Sequence, residues 1–295
     1  MREVIDKARV LVEALPYIKE FRGKTVVVKI GGAALDDQAL RRRFAEDLVL
    51  LHWVGLQMVV VHGGGVQVSA MLERLGLPAR FVDGIRVTDA ATLEVVEMVL
   101  GGSLNKELVR LVQMLGGRAV GLTGKDGGLA RAVRLTPTPG RDGGDPVGLG
   151  LVGEVAAIDR AIIDRLLPGF IPIVAPLAVD ADGQTLNVNA DPFAAALAVA
   201  LGAEKLVLLT DTEGVKDGAG SLIPSLTTGD ARRLRASGAV SGGMIPKLEN
   251  ALGAVERGVR KVHIIDGRLE HALLLEIFTR AGVGTQFVKS ESETG

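Results

Sequence analysis

The chain has 295 residues, of which 47% are hydrophobic and 23% are charged, and its formal net charge at pH 7 is −1. This length suffices for one large α/β domain or for two lobes. The near-zero charge gives no indication of binding to nucleic acid or to an anionic membrane surface. The absence of cysteine excludes disulfides, thiolate catalysis and cysteine-based zinc sites.

The ends and the hydropathy of the chain bear on its location. Glu3, Asp6 and Glu13 argue against a signal or transit peptide. No apolar run reaches the length of a transmembrane helix, and the four histidines show no metal-ligand spacing. We therefore expect a cytoplasmic enzyme without a metal held by protein ligands and without a membrane partner.

The first predicted element is an amphipathic helix over residues 2–20, whose apolar positions recur at helical spacing from Val4 to Ile18. Pro16 is expected to bend or end this helix, because proline lacks the N–H group and clashes with the preceding turn. The apolar stripe has two possible partners, the rest of its own domain or a second subunit.

Two predicted strands follow, and each ends in a glycine-rich loop. Residues 24–28 lead into Lys29-Ile30-Gly31-Gly32, and residues 57–61 lead into His62-Gly63-Gly64-Gly65. Glycines let backbone N–H groups approach an anion, a lysine adds positive charge, and parallel sheets bind ligands at these strand ends. Together the loops predict a phosphate-transfer cradle. Two tight strand–helix turns are the alternative, and His62 is assigned a structural role.

Strands alternate with helices along the rest of the chain, which predicts an α/β class with a mainly parallel central sheet. Residues 81–89 predict a strand with a turn at Asp83-Gly84, followed by a helix N-cap at Thr88 or Asp89. Residues 136–150 predict a hairpin or a mobile loop. The other predicted elements are helices over 37–51, 66–75, 91–115, 193–201, 241–257 and 269–278, and strands over 118–122, 171–175, 205–209 and 261–265.

No shift in composition marks a linker between domains. A soft boundary near residues 178–186 separates an N-terminal lobe (23–180) from a C-terminal lobe (181–295), and the predicted N-terminal helix forms a segment of its own (1–22).

Lys29 and Lys247 lie in separate halves of the chain, and each is close to a glycine pair, Gly31-Gly32 or Gly242-Gly243. Phosphoryl transfer requires positioning and positive charge on the transferred group, which two lysines on opposite sides could supply. Asp191 either orients both lysines or serves as a helix N-cap. If these roles are wrong, the lysines are surface residues near loops.

Arg86 and two asparagines are candidates for substrate recognition. The guanidinium of Arg86 suits bidentate binding of a carboxylate, and a surface salt bridge is its alternative role. Asn187 and Asn189 point to one side of a regular strand and could hold a carboxylate or an amide, or they are turn residues. Asp126 and Asp145 are loop carboxylates with no further assigned role.

Seven motifs in collinear order, between about Lys24 and Phe287, carry a resemblance to a known family. They are Lys-Ile-Gly-Gly at 29–32, His-Gly-Gly-Gly at 62–65, Asp-Gly-Ile-Arg-Val-Thr-Asp at 83–89, Gly-Leu-Thr-Gly-Lys-Asp-Gly-Gly at 121–128, Asn-Val-Asn-Ala-Asp at 187–191, Leu-Leu-Thr-Asp at 208–211 and Gly-Gly-Met-Ile-Pro-Lys at 242–247. Together they resemble the amino acid kinase superfamily, and within it the arginine-sensitive N-acetylglutamate kinases.

The resemblance implies a three-layer αβα sandwich with a mainly parallel central sheet and an additional N-terminal helix. It implies ATP-dependent phosphorylation of the γ-carboxylate of N-acetyl-L-glutamate, with Mg²⁺ held by the nucleotide phosphates. The implied catalytic residues are Lys29, Lys247 and Asp191. The implied substrate-binding residues are Gly64, Gly65, Arg86, Asn187 and Asn189, with Asn187 preferred to Asn189. The implied nucleotide-binding residues are Gly31, Gly32, Lys205, Thr210, Asp211, Gly214, Val215, Gly242, Gly243 and Met244.

The two chain ends resemble the regulatory parts of the arginine-sensitive members. In those enzymes an N-terminal helix interlaces dimers into a ring-like hexamer, and arginine binds between this helix and the C-terminal lobe. The resemblance therefore implies a trimer of dimers inhibited by L-arginine. The implied arginine pocket consists of Tyr17, His271, Glu276, Gly282 and Gly284. An ordinary terminal helix with a glycine cap is the alternative.

Three other functions compete with this interpretation. A kinase for amino-protected α-aminoadipate in lysine biosynthesis would act on a substrate longer by one methylene, which is worth only about 1–3 kcal/mol of discrimination. A non-catalytic amino-acid sensor of this fold is expected to lack Lys29, Asp191 or Lys247, yet all three are present. A dinucleotide-binding dehydrogenase is disfavoured because neither loop has the Gly-x-Gly-x-x-Gly pattern.

Overall fold

The computed structural model describes residues 2–136, 148–240, 242–279 and 282–290. Most of the predicted loop over 136–150, including Asp145, lies outside the described residues. The strands are β1 Thr25–Ile30, β2 Gln57–His62, β3 Phe81–Val82, β4 Ile85–Arg86, β5 Ala119–Thr123, β6 Ala130–Arg134, β7 Val152–Ile158, β8 Ile171–Ala175, β9 Leu177–Val179, β10 Thr185–Val188, β11 Lys205–Thr210, β12 Ser225–Thr227, β13 Lys261–Asp266 and β14 Thr285–Val288. The α-helices are α1 Arg2–Phe21, α2 Ala33–Asp36, α3 Gln38–Trp53, α4 Gly65–Arg74, α5 Ala90–Glu97, α6 Asn105–Met114, α7 Ala161–Leu166, α8 Ala190–Leu201, α9 Thr228–Ala236, α10 Met244–Glu256 and α11 Ala272–Phe278.

Eight strands form the central sheet in the order β12-β14-β13-β11-β1-β2-β8-β5. Neighbouring strands pair in parallel except β13 and β14, which are antiparallel. Successive side chains of the central strand β1 point to opposite faces, so Val26 and Val28 join one buried cluster and Val27 joins the other. Because helices cover both faces, the strands read as continuous apolar runs. The predicted α/β class and three-layer arrangement are confirmed.

Strands β10, β7, β6 and β9, in that order, form a small closed barrel, and the sequence patterns did not predict β6, β7 or β9. Its strand β10 pairs antiparallel with β9 and parallel with β7. The predicted lobe boundary at residue 180 therefore falls between two paired strands, and the lobe division stays a prediction. The barrel positions one candidate residue, because β10 carries Asn187 towards the carboxyl ends of β1 and β2.

The helix α1 runs through Pro16 without ending there. Its last turn is held against the body of the chain, since Phe21 is buried in the core and Tyr17 packs at the edge of that core. Proline removes one hydrogen bond from the helix, and this packing maintains the helix despite the loss. The apolar side chains Val10, Leu11 and Val12 nevertheless remain exposed. In the segments that the structure describes, no helix is both long and apolar enough to cross a membrane.

The long helix predicted from Ala91 towards Leu115 consists of three consecutive segments. The helix α5 passes into a π-helical turn, Met98–Leu104, which is followed directly by α6. Of the two predicted N-caps, Asp89 is the one observed, because its carboxylate accepts a hydrogen bond from Thr92 N at 2.8 Å. The π-helical turn lies against the glycine loop after β2, where its side chains contact Gly64.

Candidate active site

The carboxyl ends of β1, β2 and β11 surround two neighbouring cavities that share Lys29, Gly31 and Gly32. One cavity, of about 290 Å³, also contains Gly63–Gly65, Arg86 and the asparagines of β10 and its continuation. The other, of about 370 Å³, lies on the side of the C-terminal half. The C-terminal residues that line this second cavity include Thr210, Asp211, Gly243, Met244 and Lys247.

Asp191 holds both candidate lysines at the junction of these cavities. Its Oδ1 lies 2.9 Å from Lys29 Nζ, and its Oδ2 lies 2.7 Å from Lys247 Nζ. The three side chains expose only 11, 11 and 23% of their surfaces for Asp191, Lys29 and Lys247. Burial alone would raise the pKa of the Asp191 carboxyl, but the two ammonium charges outweigh burial and hold this pKa below its usual value. The carboxylate is therefore ionised and shared by two cations.

The alternative role of Asp191 as an N-cap is wrong, because Asn189 caps helix α8. The Asn189 side chain accepts a hydrogen bond from Asp191 N at 3.0 Å. Asp191 instead lies in the first turn of α8, where the helix dipole also favours a negative charge. The cap thus sets the position of the carboxylate that the lysines share.

Arg86 is buried beneath the loop after β2, so its alternative role as a surface salt bridge is wrong. Its Nη2 donates to Gly65 O and to Ser69 Oγ, both at 2.8 Å, and its guanidinium stacks on the Phe81 ring at 4.6 Å. Burial lowers the pKa of this guanidinium. Its Nη1 is buried and has no hydrogen-bond partner among the described residues. A buried donor in a cavity wall is suited to an anionic ligand.

Asn187 lines the same cavity, and Thr88 orients it. The Asn187 amide donates to Thr88 Oγ1 at 3.2 Å, and this fully buried hydroxyl donates to Arg86 O at 3.0 Å. Sequence reasoning considered Thr88 only as a possible N-cap and did not identify Ser69 at all. The Ser69 hydroxyl contacts Arg86 and the Thr88 hydroxyl contacts Asn187. Each contact joins segments that are distant in sequence, which no local pattern reveals.

Gly32, in the loop after β1, is in close contact with Asp211 of the C-terminal half. Its φ is 59°, and a Cβ there would lie 2.4 Å from both carboxylate oxygens of Asp211, so only glycine fits. Asp211 Oδ1 in turn accepts a hydrogen bond from Ala33 N at 2.8 Å. A third cavity, of about 420 Å³, continues outward from Asp211 and includes Gly214, Val215 and Met244.

The nucleotide role predicted for Lys205 is not supported by its position. Lys205 begins β11 whereas Thr210 ends it, which separates them by about 17 Å of extended chain. Lys205 Nζ instead lies 3.0 Å from Glu276 Oε1 and 5.0 Å from the centre of the Phe21 ring. The resemblance implied this role, and the sequence does not show that the two ends of β11 lie beside different cavities.

Lys205 and Glu276 line a separate cavity of about 140 Å³ between α1 and the C-terminal half. Tyr17, Gly282 and Gly284 of the predicted arginine pocket lie there too. His263, which sequence reasoning had not selected, brings its Nδ1 to 2.7 Å from Glu276 Oε1. Burial raises the pKa of Glu276, but His263 and Lys205 outweigh burial, and the net shift is downward.

His271 does not belong to this cavity, which corrects its predicted place in the arginine pocket. Its Nδ1 lies 2.5 Å from Oδ1 of the buried Asp47, and its backbone is in the left-handed region with φ 55°. Burial raises the pKa of Asp47 to about 6, although His271 opposes the shift. His271 precedes α11 and faces α3, whereas Glu276 lies further along α11 and faces the cavity.

Comparison with known proteins agrees with the motif pattern. A model described as the amino acid kinase family matches residues 24–266. The chain is 56% identical over 282 residues to the acetylglutamate kinase of Halorhodospira halophila, covering 94% of each chain. It is 54% identical over 284 residues to the acetylglutamate kinase of Chromobacterium violaceum, covering 96% of this chain and 98% of that protein.

Solved structures with the same fold extend the comparison. N-acetylglutamate synthase from Neisseria gonorrhoeae, in complex with coenzyme A and N-acetyl-glutamate, is 28% identical with a TM-score of 0.83. The similarity covers 96% of this chain, which spans only 63% of that synthase chain. The same synthase with coenzyme A and L-arginine is 26% identical with a TM-score of 0.80, over 96% of this chain and 65% of the synthase. Carbamate kinase from Giardia lamblia bound to AMP-PNP, at 17% identity and a TM-score of 0.65 over 90% of this chain and 99% of that one, shares the fold alone.

We predict that Asp191→Asn lowers the free energy of unfolding at pH 7 by about 3–5 kcal/mol, because it leaves two ammonium groups without their shared partner. The folded-state pKa of Asp191 is below its ordinary value of 3.8, so the carboxylate stabilises the fold above that pH and ceases to do so as the pH falls through the folded-state pKa. Urea unfolding of both proteins from pH 7 to pH 3 measures the difference. Asp164→Asn, at an exposed pair with Arg160, is the control and should cost less than about 1 kcal/mol. A difference between Asp191→Asn and the parent that does not shrink at low pH would contradict the ionised state.

Proposed function

This chain belongs to the amino acid kinase family, and from that premise we propose that it phosphorylates the γ-carboxylate of N-acetyl-L-glutamate with ATP, a step of arginine biosynthesis. The observation that carries the proposal is the placement of Lys29 and Lys247, 2.9 and 2.7 Å from the shared Asp191 carboxylate, between two cavities. Full-length identity of 56% and 54% to two acetylglutamate kinases supports the choice of substrate. A cytoplasmic location stays a prediction.

In the proposed reaction a carboxylate oxygen of the substrate attacks the γ-phosphorus of ATP, the bond from that phosphorus to the β–γ bridging oxygen breaks, and ADP leaves. The acceptor is already ionised, so the step requires no general base. Lys29 and Lys247 place positive charge where negative charge develops on the transferred group and on the leaving oxygen. Asp191 keeps both ammonium groups at the junction of the cavities.

The site is compatible with Mg²⁺ that is bound through the phosphates of the nucleotide. Within the described ranges, no group of three or more His, Asp or Glu side chains is arranged to hold a metal ion. Mg²⁺ commonly binds through substrate phosphates and water rather than a dedicated protein cage. When bound, it would neutralise part of the phosphate charge, while the lysines supply the protein's own share.

Recognition of the acceptor is assigned to the 290 Å³ cavity. The buried Nη1 of Arg86 has no partner in the described structure, and we propose that it binds the α-carboxylate, which does not react. We propose that Asn187, which is oriented by Thr88, binds the N-acetyl amide. Asn189 is assigned to capping α8, so Asn187 is the asparagine that we propose contacts the substrate. Gly64 and Gly65 line the same wall beside Lys29, and we propose that their backbone N–H groups face the point where the phosphoryl group is transferred to the acceptor.

The nucleotide is assigned to the cavities on the C-terminal side. Gly31 and Gly32 contribute the backbone of the β1 loop beside the phosphates, and Lys247 lies across from them. The remaining wall, which we propose surrounds the nucleotide, consists of Thr210, Asp211, Gly214, Val215, Gly243 and Met244. Gly242, with φ 58°, allows the tight turn before α10.

The proposed activity is tested by trapping the acyl phosphate with hydroxylamine in the presence of ATP, Mg²⁺ and N-acetyl-L-glutamate. We expect turnover of N-acetyl-L-glutamate at a higher kcat/KM than of N-acetyl-L-α-aminoadipate, assayed in parallel. One methylene accounts for a discrimination of roughly 10- to 200-fold. Preference for the longer substrate would assign the chain to the lysine-pathway reaction. Absence of turnover with either would support a sensor.

We predict that Lys29→Ala and Lys247→Ala each lower kcat by about 100-fold or more, because each removes a charge that acts in the transition state. Steady-state kinetics with both substrates measures this loss. Lys24→Ala is the control, since its side chain is half exposed and pairs with Glu204 before the start of β1, at the opposite end of that strand from the site. An increase in KM with kcat unchanged would mean that the lysines only bind ground-state substrate.

We predict that Arg86→Lys raises the KM for N-acetyl-L-glutamate by about tenfold or more and leaves the KM for ATP nearly unchanged, because lysine keeps the charge but loses the planar fork. Initial-rate measurements with each substrate varied in turn test this split. Arg80→Lys, on the neighbouring exposed segment, is the control. A larger effect on the KM for ATP would contradict the assignment of Arg86 to N-acetyl-L-glutamate.

We further propose that L-arginine inhibits the enzyme by binding the 140 Å³ cavity beside α1. The cavity combines Tyr17 and Phe21 of α1 with Glu276, a buried carboxylate suited to a cationic ligand, and Lys205, an ammonium suited to a carboxylate. A synthase of similar fold is known in complex with L-arginine. The exposed apolar side chains of α1 support its assignment as the helix that joins dimers into a hexamer.

We predict that deletion of residues 1–20 leaves an active dimer whose sensitivity to L-arginine is reduced by roughly tenfold or more, because the cavity loses the α1 wall that includes Tyr17. Sedimentation and inhibition curves measure the two properties. The full-length variant Leu11→Glu is the matched control, since it places a charge on the exposed stripe and keeps Tyr17. A truncated protein that stays hexameric and fully inhibited would contradict this role of α1.

A further inference from the structure

His62 lies at the end of β2, immediately before the glycine loop, and is completely buried. Its Nδ1 lies 2.8 Å from Gly63 O, and its Nε2 lies 3.2 Å from Asn105 Nδ2. A carbonyl oxygen only accepts a hydrogen bond and an amide nitrogen only donates one. The two contacts are therefore satisfied together by a neutral ring that carries its proton on Nδ1.

The amide of Asn105 is itself fixed in orientation by other hydrogen bonds, so its Nδ2 faces His62 as a donor. Its Nδ2 donates to Ile173 O at 2.9 Å, and its Oδ1 accepts from Lys106 Nζ at 3.2 Å. Asn105 follows directly after the π-helical turn Met98–Leu104. Such turns recur at functional sites because they displace the residues that follow them.

The hydrogen bond from His62 acts on one particular peptide plane. The peptide that joins Gly63 to Gly64 is trans, so its C=O and N–H groups point in opposite directions. Fixing the Gly63 carbonyl therefore fixes the direction of the Gly64 N–H. Gly63 N donates to Ile30 O at 2.8 Å, which anchors the preceding peptide to β1.

The Gly64 N–H is left for a ligand. No acceptor in the described part of the chain binds this N–H, and Gly64 lines the 290 Å³ cavity together with Lys29. Leu100 and Leu104 of the π-helical turn press on the other side of Gly64, where a Cβ would lie 2.5 and 2.7 Å from their methyl carbons. The glycine is thus held between the turn and the cavity.

We propose that His62 is a positioning residue, whose Nδ1–H holds the Gly63 carbonyl so that the Gly64 N–H points at the phosphoryl group during transfer. The inference rests on the proposed kinase function. Burial, assisted by the charge of Lys106, lowers the pKa of His62 to about 4, so the ring is neutral in any ordinary assay. His62 does not transfer a proton and does not touch the substrate.

Two substitutions test the contributions of the two ring nitrogens separately. In His62→Asn an amide N–H can take the place of Nδ1–H, whereas in His62→Gln the amide reaches the position of Nε2 and leaves Gly63 O without its donor. We expect His62→Gln to lower kcat by roughly 10- to 100-fold, as for partial loss of an oxyanion donor, and to change either KM much less. His62→Asn should keep most of the parent kcat. Val60→Ala, on the same face of β2, is the control for loss of packing and should keep kcat.

Equal losses of kcat in His62→Asn and His62→Gln, or no loss in either, would overturn the proposal. If neither variant folds, the parent protein still decides the question. Long-range ¹H–¹⁵N correlation of the histidine rings, with His62 assigned by comparison with Val60→Ala, should show a neutral ring protonated on Nδ1. Protonation on Nε2 would overturn the proposal. Failure of the parent to phosphorylate N-acetyl-L-glutamate would overturn the proposed function instead, and the two failures are therefore distinguishable.

Discussion

The structure of the candidate site depends on one carboxylate that two ammonium groups share. Lys29 and Lys247 belong to distant parts of the chain, and without Asp191 their like charges would repel each other across the junction of the cavities. Burying three charges is costly, and complementary pairing offsets that cost. Asn189, as the cap of α8, and Gly32, as the close contact of Asp211, hold the surrounding backbone in the required place.

The central sheet places the two proposed ligand sites at opposite ends of the same strand. β11 ends at Thr210 beside Lys29 and Lys247, the proposed catalytic lysines, and begins at Lys205 beside Glu276 and α1. An effector that binds one end acts on the other only if it has different affinities for two states of the protein. α1 lines the cavity at one end and presents exposed apolar side chains, and the proposed inhibition by L-arginine requires that two states differ in the position of this helix.

Local sequence patterns determined most of the central layer and the identity of the charged triad. Buried parallel strands read as β-branched runs, and glycines and lysines at their carboxyl ends mark a site for an anion, so Lys29, Gly32 and Gly64 were predicted from residues alone. Lys247 and Asp191 were proposed as a functional unit, and the structure brings them within hydrogen-bond distance of each other. The strands and their glycine loops depend on neighbours a few residues apart, which a single sequence contains, whereas the contact of Lys247 with Asp191 joins residues 56 positions apart.

Only the tertiary structure decided the features that depend on distant partners. The small barrel of β6, β7, β9 and β10 consists of short strands, and they are defined by pairing across the chain. Lys205 was assigned to the nucleotide, but its partner Glu276, 71 residues away, meets it at the other end of β11 from Thr210. His271 was assigned to the arginine pocket, but it turns towards Asp47 of α3, 224 residues away. Lys205 and His271 each lie beside a buried carboxylate, Glu276 or Asp47, whose burial requires a partner in space, and spacing along the chain does not contain that information.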